Sequence, residues 1–214
     1  MTAFVPTAGS SPETPPPRVV VIGCGALARE LLAITRGIPG VKVHCVDARL
    51  HMQPGRIAAA VAERIAKTRR AYGEGVRIFV AYADCGTGGS LDAVLDVEGI
   101  ERIEGAHCYE FYAGSAAYAA LQDEEPGTFY LTDFLARQFE SLVLVGLGLD
   151  RHPELLLEYF GNYRRLVYLA QTDDPELTAR ARAAAERLGL AFERRTTGFG
   201  DLAPSVLAAV RDPA

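Results

Sequence analysis

The sequence predicts a doubly wound α/β fold, in which a mainly parallel sheet carries helices on both faces. Segments typical of strands and helices alternate about six times along the 214 residues, which is the pattern of a parallel sheet. The strands are short apolar runs, and several of the helices are amphipathic. This arrangement is Rossmann-like. We expect a single α/β domain over 18–214, after a polar, proline-rich and disordered tail over 1–17.

The elements of the first half follow from their apolar spacing. The segment 18–23 is a run of β-branched residues, as in a strand buried on both faces. It ends at a Gly-Cys-Gly sequence, and helix formers follow over 26–36. The Ala-rich segment 57–71 has the spacing of an amphipathic helix. The other elements expected here are strands over 41–47, 76–82 and 100–103 and helices over 91–98 and 109–122.

The second half repeats the alternation. A strand over 127–132 runs directly into a helix over 133–144. A clear helix over 175–188 starts with Pro175 and is stopped by Gly189, the residue types that suit these two positions. The other elements expected here are helices over 153–160 and 204–211 and strands over 166–170 and 190–194.

Composition excludes several classes of protein. There are 22 basic and 27 acidic side chains, a net charge of −5, whereas proteins that bind nucleic acid usually carry excess positive charge. No apolar run reaches the roughly 18 to 20 residues that span a bilayer, and the first 17 residues do not resemble a secretory signal. Four widely spaced cysteines do not make a disulfide scaffold. We therefore expect a cytoplasmic protein whose partner is a small-molecule substrate, with no nucleic acid and no membrane.

Three of the four cysteines follow predicted strands. Cys24, Cys85 and Cys108 each lie at a strand end beside glycine or polar residues, whereas Cys45 lies inside a strand and is expected to be a buried structural thiol. Parallel strands present their carboxyl ends at one edge of a sheet, where ligands bind. Thiolates suit Zn²⁺, Cu(I) and iron–sulfur clusters. The hypothesis is a shared metal site with Cys24, Cys85 and Cys108 as ligands, slightly favouring an iron–sulfur cluster with an open iron over zinc; the alternative is three small residues filling tight loops.

Polar residues flank these cysteines. Asp84, His107 and Glu110 are the candidate catalytic residues, since they are placed to orient a ligand or move a proton. His107 is also a candidate fourth zinc ligand, and a hydrogen-bonded structural role is as good an interpretation of it. The backbone around Thr87, Gly88 and Gly89 could present N–H groups to an anionic substrate, or form an ordinary turn.

The first glycine loop supports a different hypothesis. Gly23 and Gly25 follow a strand and open a helix, and Asp47 ends the next strand about 20 residues later, as in dinucleotide-binding folds. The same two glycines could instead make room for a bulky metal cofactor. Both interpretations make Gly23 and Gly25 cofactor-binding residues.

Several segments carry a family resemblance. The sequences VIGCGALARELL (21–32), VAYADCGTGGSLDAVL (80–95) and GAHCYEFYAG (105–114) resemble those of the bacterial and archaeal family called domain of unknown function 1638. The later segments GTFYLTDFLARQF (127–139) and GNYRRLVYLAQTDD (161–174) are similar to it as well. The resemblance implies an association with corrinoid-dependent methyltransferase systems, so that a corrinoid protein or a methyltransferase is an expected partner. It implies no catalytic residue.

The leading hypothesis is a cytosolic metalloprotein, an enzyme of the lyase or methyltransferase kind, with a three-cysteine site at the carboxyl edge of the sheet. The alternatives are a metal-free nucleotide-binding protein that uses Gly23, Gly25 and Asp47, and a protein that handles a corrinoid or a metal for a partner enzyme without catalysis.

Overall fold

The computed structural model describes residues 15–211, so most of the predicted tail lies outside the described residues. The six described strands form two parallel sheets of three strands each, with the orders β2-β1-β3 and β4-β5-β6. The strands are β1 (Val19–Cys24), β2 (Val41–Val46), β3 (Arg77–Ala81), β4 (Thr128–Thr132), β5 (Arg165–Ala170) and β6 (Ala191–Thr196).

Nine α-helices surround the sheets in the described part of the chain. They are α1 (Ala28–Ile34), α2 (Ile57–Tyr72), α3 (Ser90–Glu98), α4 (Cys108–Ala113), α5 (Ser115–Glu124), α6 (Asp133–Gln138), α7 (Leu156–Phe160), α8 (Pro175–Leu188) and α9 (Leu202–Arg211). Short helical turns cover Gly25–Leu27, Ala48–Met52, Pro54–Arg56 and Pro153–Leu155, and a wider π-type turn covers Phe139–Leu144. The predicted mainly parallel α/β class is confirmed.

The central strand of the first sheet explains how the layers form. Val19 and Val21 of β1 pack into one core cluster, and Val20 and Ile22 pack into another on the opposite face. A strand buried on both faces needs apolar side chains at every position, which is why β1 is a continuous apolar run. The face of Val20 and Ile22 is covered by α2 and α3.

The two sheets share one core. Val21 and Phe79 from the first sheet and Val167 and Leu169 from the second belong to the same buried cluster, which the helix α9 completes with Leu202, Val206, Ala209 and Val210. The outer face of the second sheet, with Leu166 and Tyr168, is covered by α6 and α8. The two sheets therefore pack against each other through this shared cluster.

Three predicted elements differ from the structure. The sequence predicted one central sheet, and the structure instead has two separate sheets of three strands each. The segment 100–103, expected to be a strand, forms only one isolated bridge, in which Arg102 lies beside Val80 of β3. The bridge consists of two backbone hydrogen bonds to Val80, one with Glu101 and one with Ile103. The helix expected over 109–122 is broken at Gly114 into α4 and α5. Within residues 15–211, we find no helix with the length and apolar character needed to cross a membrane.

Candidate functional site

Cys24, Cys85 and Cys108 line one cavity at the carboxyl ends of β1, β3 and β4. The cavity has a volume of about 30 Å³, which is room for roughly one or two water-sized atoms. The rest of its wall is mainly apolar or aromatic and includes Leu27, Ile57, Tyr82, Phe111, Tyr112, Phe134 and Leu135. The structure thus brings together three thiols that are far apart in sequence.

Local backbone structure positions each thiol. Cys24 is the last residue of β1, and its Sγ accepts a hydrogen bond from the Ala26 N–H at 3.4 Å. Cys85 lies just beyond β3 with φ +51°, a left-handed conformation that is uncommon for a residue with a side chain. Its N–H donates to the Ala106 carbonyl at 2.7 Å, which ties this loop to the one that carries Cys108. Cys108 is the first residue of α4.

Burial dominates the ionisation of these thiols. It raises the pKa of Cys24, raises that of Cys85 to about 12 and raises that of Cys108 well above its ordinary value. Hydrogen bonds oppose this effect in part, from the Tyr82 hydroxyl to Cys24 and from the Cys108 N–H to Cys85. Cys24 also raises the pKa of Cys85, and Cys24 and Cys85 both raise the pKa of Cys108, because thiolates in this cavity would repel one another. At neutral pH the three groups are protonated thiols, and a bound cation would have to displace their protons.

The glycine-rich loop after β3 is folded around Asp84. Its carboxylate accepts hydrogen bonds from the Thr87 hydroxyl at 2.5 Å and from the N–H groups of Gly86, Gly88 and Gly89 at 3.1 to 3.3 Å. The donors expected to bind an anionic substrate therefore already bind a carboxylate of the chain itself. Asp84 sits at the centre of the loop beside Cys85, and its geometry fits a positioning role better than the expected transfer of protons.

These hydrogen bonds predict a pH-dependent stability. The Thr87 hydroxyl and the loop N–H groups lower the pKa of Asp84 from 3.8 to about 2, so the stabilisation is complete above pH 4 and is lost as the pH falls through about 2. We expect Asp84→Asn to lower the free energy of unfolding by about 1 kcal/mol at pH 7, since hydrogen bonds to a charged but solvent-accessible group are lost. Urea denaturation of both proteins at pH 7 and pH 3 measures the difference, which should shrink at pH 3. A loss of equal size at both pH values would contradict this account.

Among the described residues, His107 and Glu110 are not part of the set that lines the cavity. Glu110 accepts hydrogen bonds from the Ala106 N–H at 2.7 Å and the Ser115 hydroxyl at 2.9 Å, so it fastens the loop before α4 to the start of α5. The His107 ring lies 6.4 Å from the Tyr109 ring, centre to centre. Neither residue is among those that line the thiol cavity, although His107 directly precedes Cys108 and is close enough to His51 to lower the pKa of its imidazole.

Two cavity residues were missed in the sequence. Tyr82 follows β3 and lines the cavity, where its hydroxyl helps to lower the pKa of the Cys24 thiol. His51 lies on the turn Ala48–Met52 after β2, and its imidazole faces the same cavity. Burial and the nearby His107 lower the pKa of His51, which favours the neutral ring. The signal that could have found His51 is its place shortly after a strand that neighbours β1.

Contacts within the fold account for the residues of the predicted nucleotide site, Gly23, Gly25 and Asp47. A side chain at Gly23 would meet Leu31, and one at Gly25 would come within 2.9 Å of the Val46 carbonyl oxygen, so tight packing accounts for both glycines. The Asp47 carboxylate accepts hydrogen bonds from the backbone and guanidinium of Arg49. Binding of a nucleotide here stays a prediction.

Cys45 differs from its predicted environment. It is partly buried rather than enclosed, because β2 is an edge strand of the first sheet. It does not contribute to the described wall of the cavity.

The side chains that line the cavity are not already arranged to coordinate a metal ion. Over residues 15–211, no three side chains of His, Cys, Asp and Glu are arranged as a set that could hold a metal ion. The three thiols share a cavity without converging on one point within it.

A family comparison connects these loops with other proteins. The family described as protein of unknown function (DUF1638) matches residues 45–206, about three quarters of the chain. The chain belongs to this family. The DUF1638 match includes His51, Cys85 and Cys108 and begins after Cys24, so the resemblance expected over 21–32 lies outside the matched range. Neither the curated proteins nor the solved structures contain a match to the chain.

Proposed function

We propose that the protein binds a thiophilic metal ion through the thiolates of Cys24, Cys85 and Cys108, in the cavity that these three residues line. One observation carries the proposal: cysteines from three separate parts of the chain, 61 and 23 residues apart, line the same small cavity. Three cysteine thiolates are donors of the kind that Zn²⁺ and other thiophilic ions favour.

The size of the cavity supports a single ion over a cluster. A volume of about 30 Å³ accommodates one metal ion and a water molecule. A [4Fe–4S] cluster adds eight atoms and would need the surrounding wall to move outward. The iron–sulfur cluster that the sequence slightly favoured is therefore the second candidate.

Binding would require the thiols to turn inward and lose their protons. A cysteine side chain reorients by rotation about one bond, and the loops that carry Cys85 and Cys108 are joined by backbone hydrogen bonds that fix their separation. The Tyr82 hydroxyl can donate to the Cys24 thiolate, and the Cys108 N–H can donate to the Cys85 thiolate. Both hydrogen bonds favour the charged sulfur that a metal ion requires.

A zinc ion held by Cys24, Cys85 and Cys108 would supply Lewis-acid chemistry or would activate a thiol for methyl transfer. The chain's own part is to exclude water with Phe111, Tyr112 and Phe134 and to hold the sulfurs in place. Such a site would suit lyase chemistry, methyl transfer linked to a corrinoid protein, or handling of a metal without catalysis.

Metal analysis of cysteine variants tests the proposal. We expect the anaerobically purified wild type to contain, or to take up, about one zinc ion per chain, and we expect Cys24→Ser, Cys85→Ser and Cys108→Ser each to lose it. Cys45→Ser is the matched control and should keep the metal, because Cys45 lies outside the described cavity wall. Elemental analysis after dialysis gives the metal content.

Two results would overturn the proposal. One is a wild type that takes up no zinc, iron or cobalt under reducing conditions. The other is a metal content that falls as much in Cys45→Ser as in the three cavity variants. Iron with sulfide in place of zinc would keep the three thiolates and change the cofactor.

A further inference from the structure

We infer that a groove between α2 and the segment 46–56 binds the phosphate group of a small molecule. The groove has a volume of about 490 Å³, which is within the range of small-molecule sites. It shares no described lining residue with the thiol cavity. The inference therefore concerns a second site and does not depend on the proposed metal.

The charge of the groove favours an anion. Four of the side chains that line it are basic and two are acidic, which leaves an excess of two positive charges in a chain whose net charge is −5. Arg49 pairs with Asp47 at 2.6 Å, and Lys67 pairs with Glu63 at 2.5 Å, so the two acidic side chains are neutralised within the groove. The other two basic side chains are arginines.

These two arginines are Arg56 and Arg64, and they lie on one face of the helix. Arg56 is the residue before α2, Arg64 follows eight residues later, and Ala60 lies midway between them, a spacing that places all three on the same side. The Arg56 guanidinium donates one hydrogen bond to the Gln53 side-chain oxygen at 2.9 Å. Arg64 is partly buried, and within residues 15–211 its guanidinium has no hydrogen bond and no carboxylate at ion-pair distance. A partly buried guanidinium that lacks an acceptor is the observation that carries the inference.

The groove also lies where parallel sheets bind ligands. Val46 is the last residue of β2, and the turn Ala48–Met52 follows it. Ligands of open parallel sheets bind beyond the carboxyl ends of the strands. Arg49 and Leu50 of this turn line the groove, whereas His51 of the same turn lines the thiol cavity. The groove and the thiol cavity are therefore neighbours at the same edge of the first sheet.

Phosphate is the anion that these donors suit. A guanidinium presents its N–H groups as a planar fork, which can bind two phosphate oxygens at once. A phosphate monoester carries about 1.5 to 2 negative charges at pH 7, which matches the two arginines without a carboxylate partner. Leu50 and Ala60 supply apolar surface for the organic part of the ligand.

Phosphorus NMR of inorganic phosphate, titrated with the full chain at constant ionic strength, tests the inference. We expect the wild type to bind phosphate, and we expect Arg64→Gln and Arg56→Gln each to weaken the binding about tenfold or more, since hydrogen bonds to a charged ligand are lost. Arg70→Gln is the matched control. Arg70 is an exposed arginine of the same helix outside the described lining of the groove, so its loss should weaken the binding by less than about threefold, because its charge is screened by solvent and salt. Circular dichroism of each variant checks that it is folded.

Two results would overturn the inference. One is a folded wild type that binds no phosphate at millimolar concentrations. The other is equal weakening in Arg64→Gln and Arg70→Gln, which would show only a general attraction of anions to a basic helix. Metal content and phosphate binding are measured separately, so the failure of one site would leave the other standing.

Discussion

Replacement of Gly200 by alanine is expected to destabilise the protein by about 3 kcal/mol or more, among the larger effects of a single substitution. An alanine Cβ at this position would lie 2.5 Å from the Tyr112 carbonyl oxygen and even closer to that of Phe111. Both atoms belong to the backbone of α4, which cannot move aside, since the Phe111 carbonyl also accepts the Asp201 N–H at 2.7 Å. The backbone at Gly200 has φ +48°, which adds strain for any residue with a side chain.

Gly198→Ala is the control for Gly200→Ala. Gly198 has a similar conformation, φ +57°, but a Cβ there would meet no described atom within 4 Å. We expect only the conformational cost, about 1 to 2 kcal/mol. Urea denaturation of the two variants measures the difference. Equal losses of unfolding free energy would show that α4 yields to the added Cβ at little cost.

Removal of the Asp133 carboxylate is expected to destabilise the protein by about 3 to 5 kcal/mol, as breakage of a buried charged network does. Asp133 is fully buried at the start of α6. It accepts hydrogen bonds from the Tyr168 hydroxyl at 2.6 Å, the Gln171 N–H at 3.0 Å and the Thr172 hydroxyl at 2.5 Å. In Asp133→Ala the first two of these donors would remain buried without an acceptor.

Asp173→Ala is the control for Asp133→Ala. Its side chain is 93% exposed and pairs with Arg194, so its loss should change the stability by less than about 1 kcal/mol. Chemical denaturation at pH 7 compares the two variants. A loss in Asp133→Ala no larger than that in Asp173→Ala would mean that water replaces the carboxylate in its network.

Local patterns were sufficient to predict most elements of the fold. The β-branched run at the start of the domain is a central strand buried on both faces, and the helix from Pro175 to Leu188 begins and ends as predicted. The number of sheets was not predictable in the same way, because strand order depends on which strands meet in space. The same alternation of strands and helices fits one sheet of six strands or two sheets of three.

The candidate site was predictable in part. The rule that ligands bind at the carboxyl ends of parallel strands brings Cys24, Cys85 and Cys108 to one cavity, as the structure shows. The rule does not say where side chains point. Asp84 turns into its own loop, and Asp133, which in sequence looks like an ordinary acid in the first turn of a helix, is the buried acceptor of three hydrogen bonds.

The position of the cavity couples the two sheets. Cys24 ends a strand of the first sheet, and Thr132 ends a strand of the second, and both line the same cavity. Any molecule that fills the cavity contacts both halves of the chain and binds only when the two sheets are packed together. By linkage, each tenfold rise in its concentration above the dissociation constant adds about 1.4 kcal/mol to the free energy of unfolding. An occupant of this cavity would therefore act as a reversible cross-link, and the melting temperature of the whole chain would report its presence.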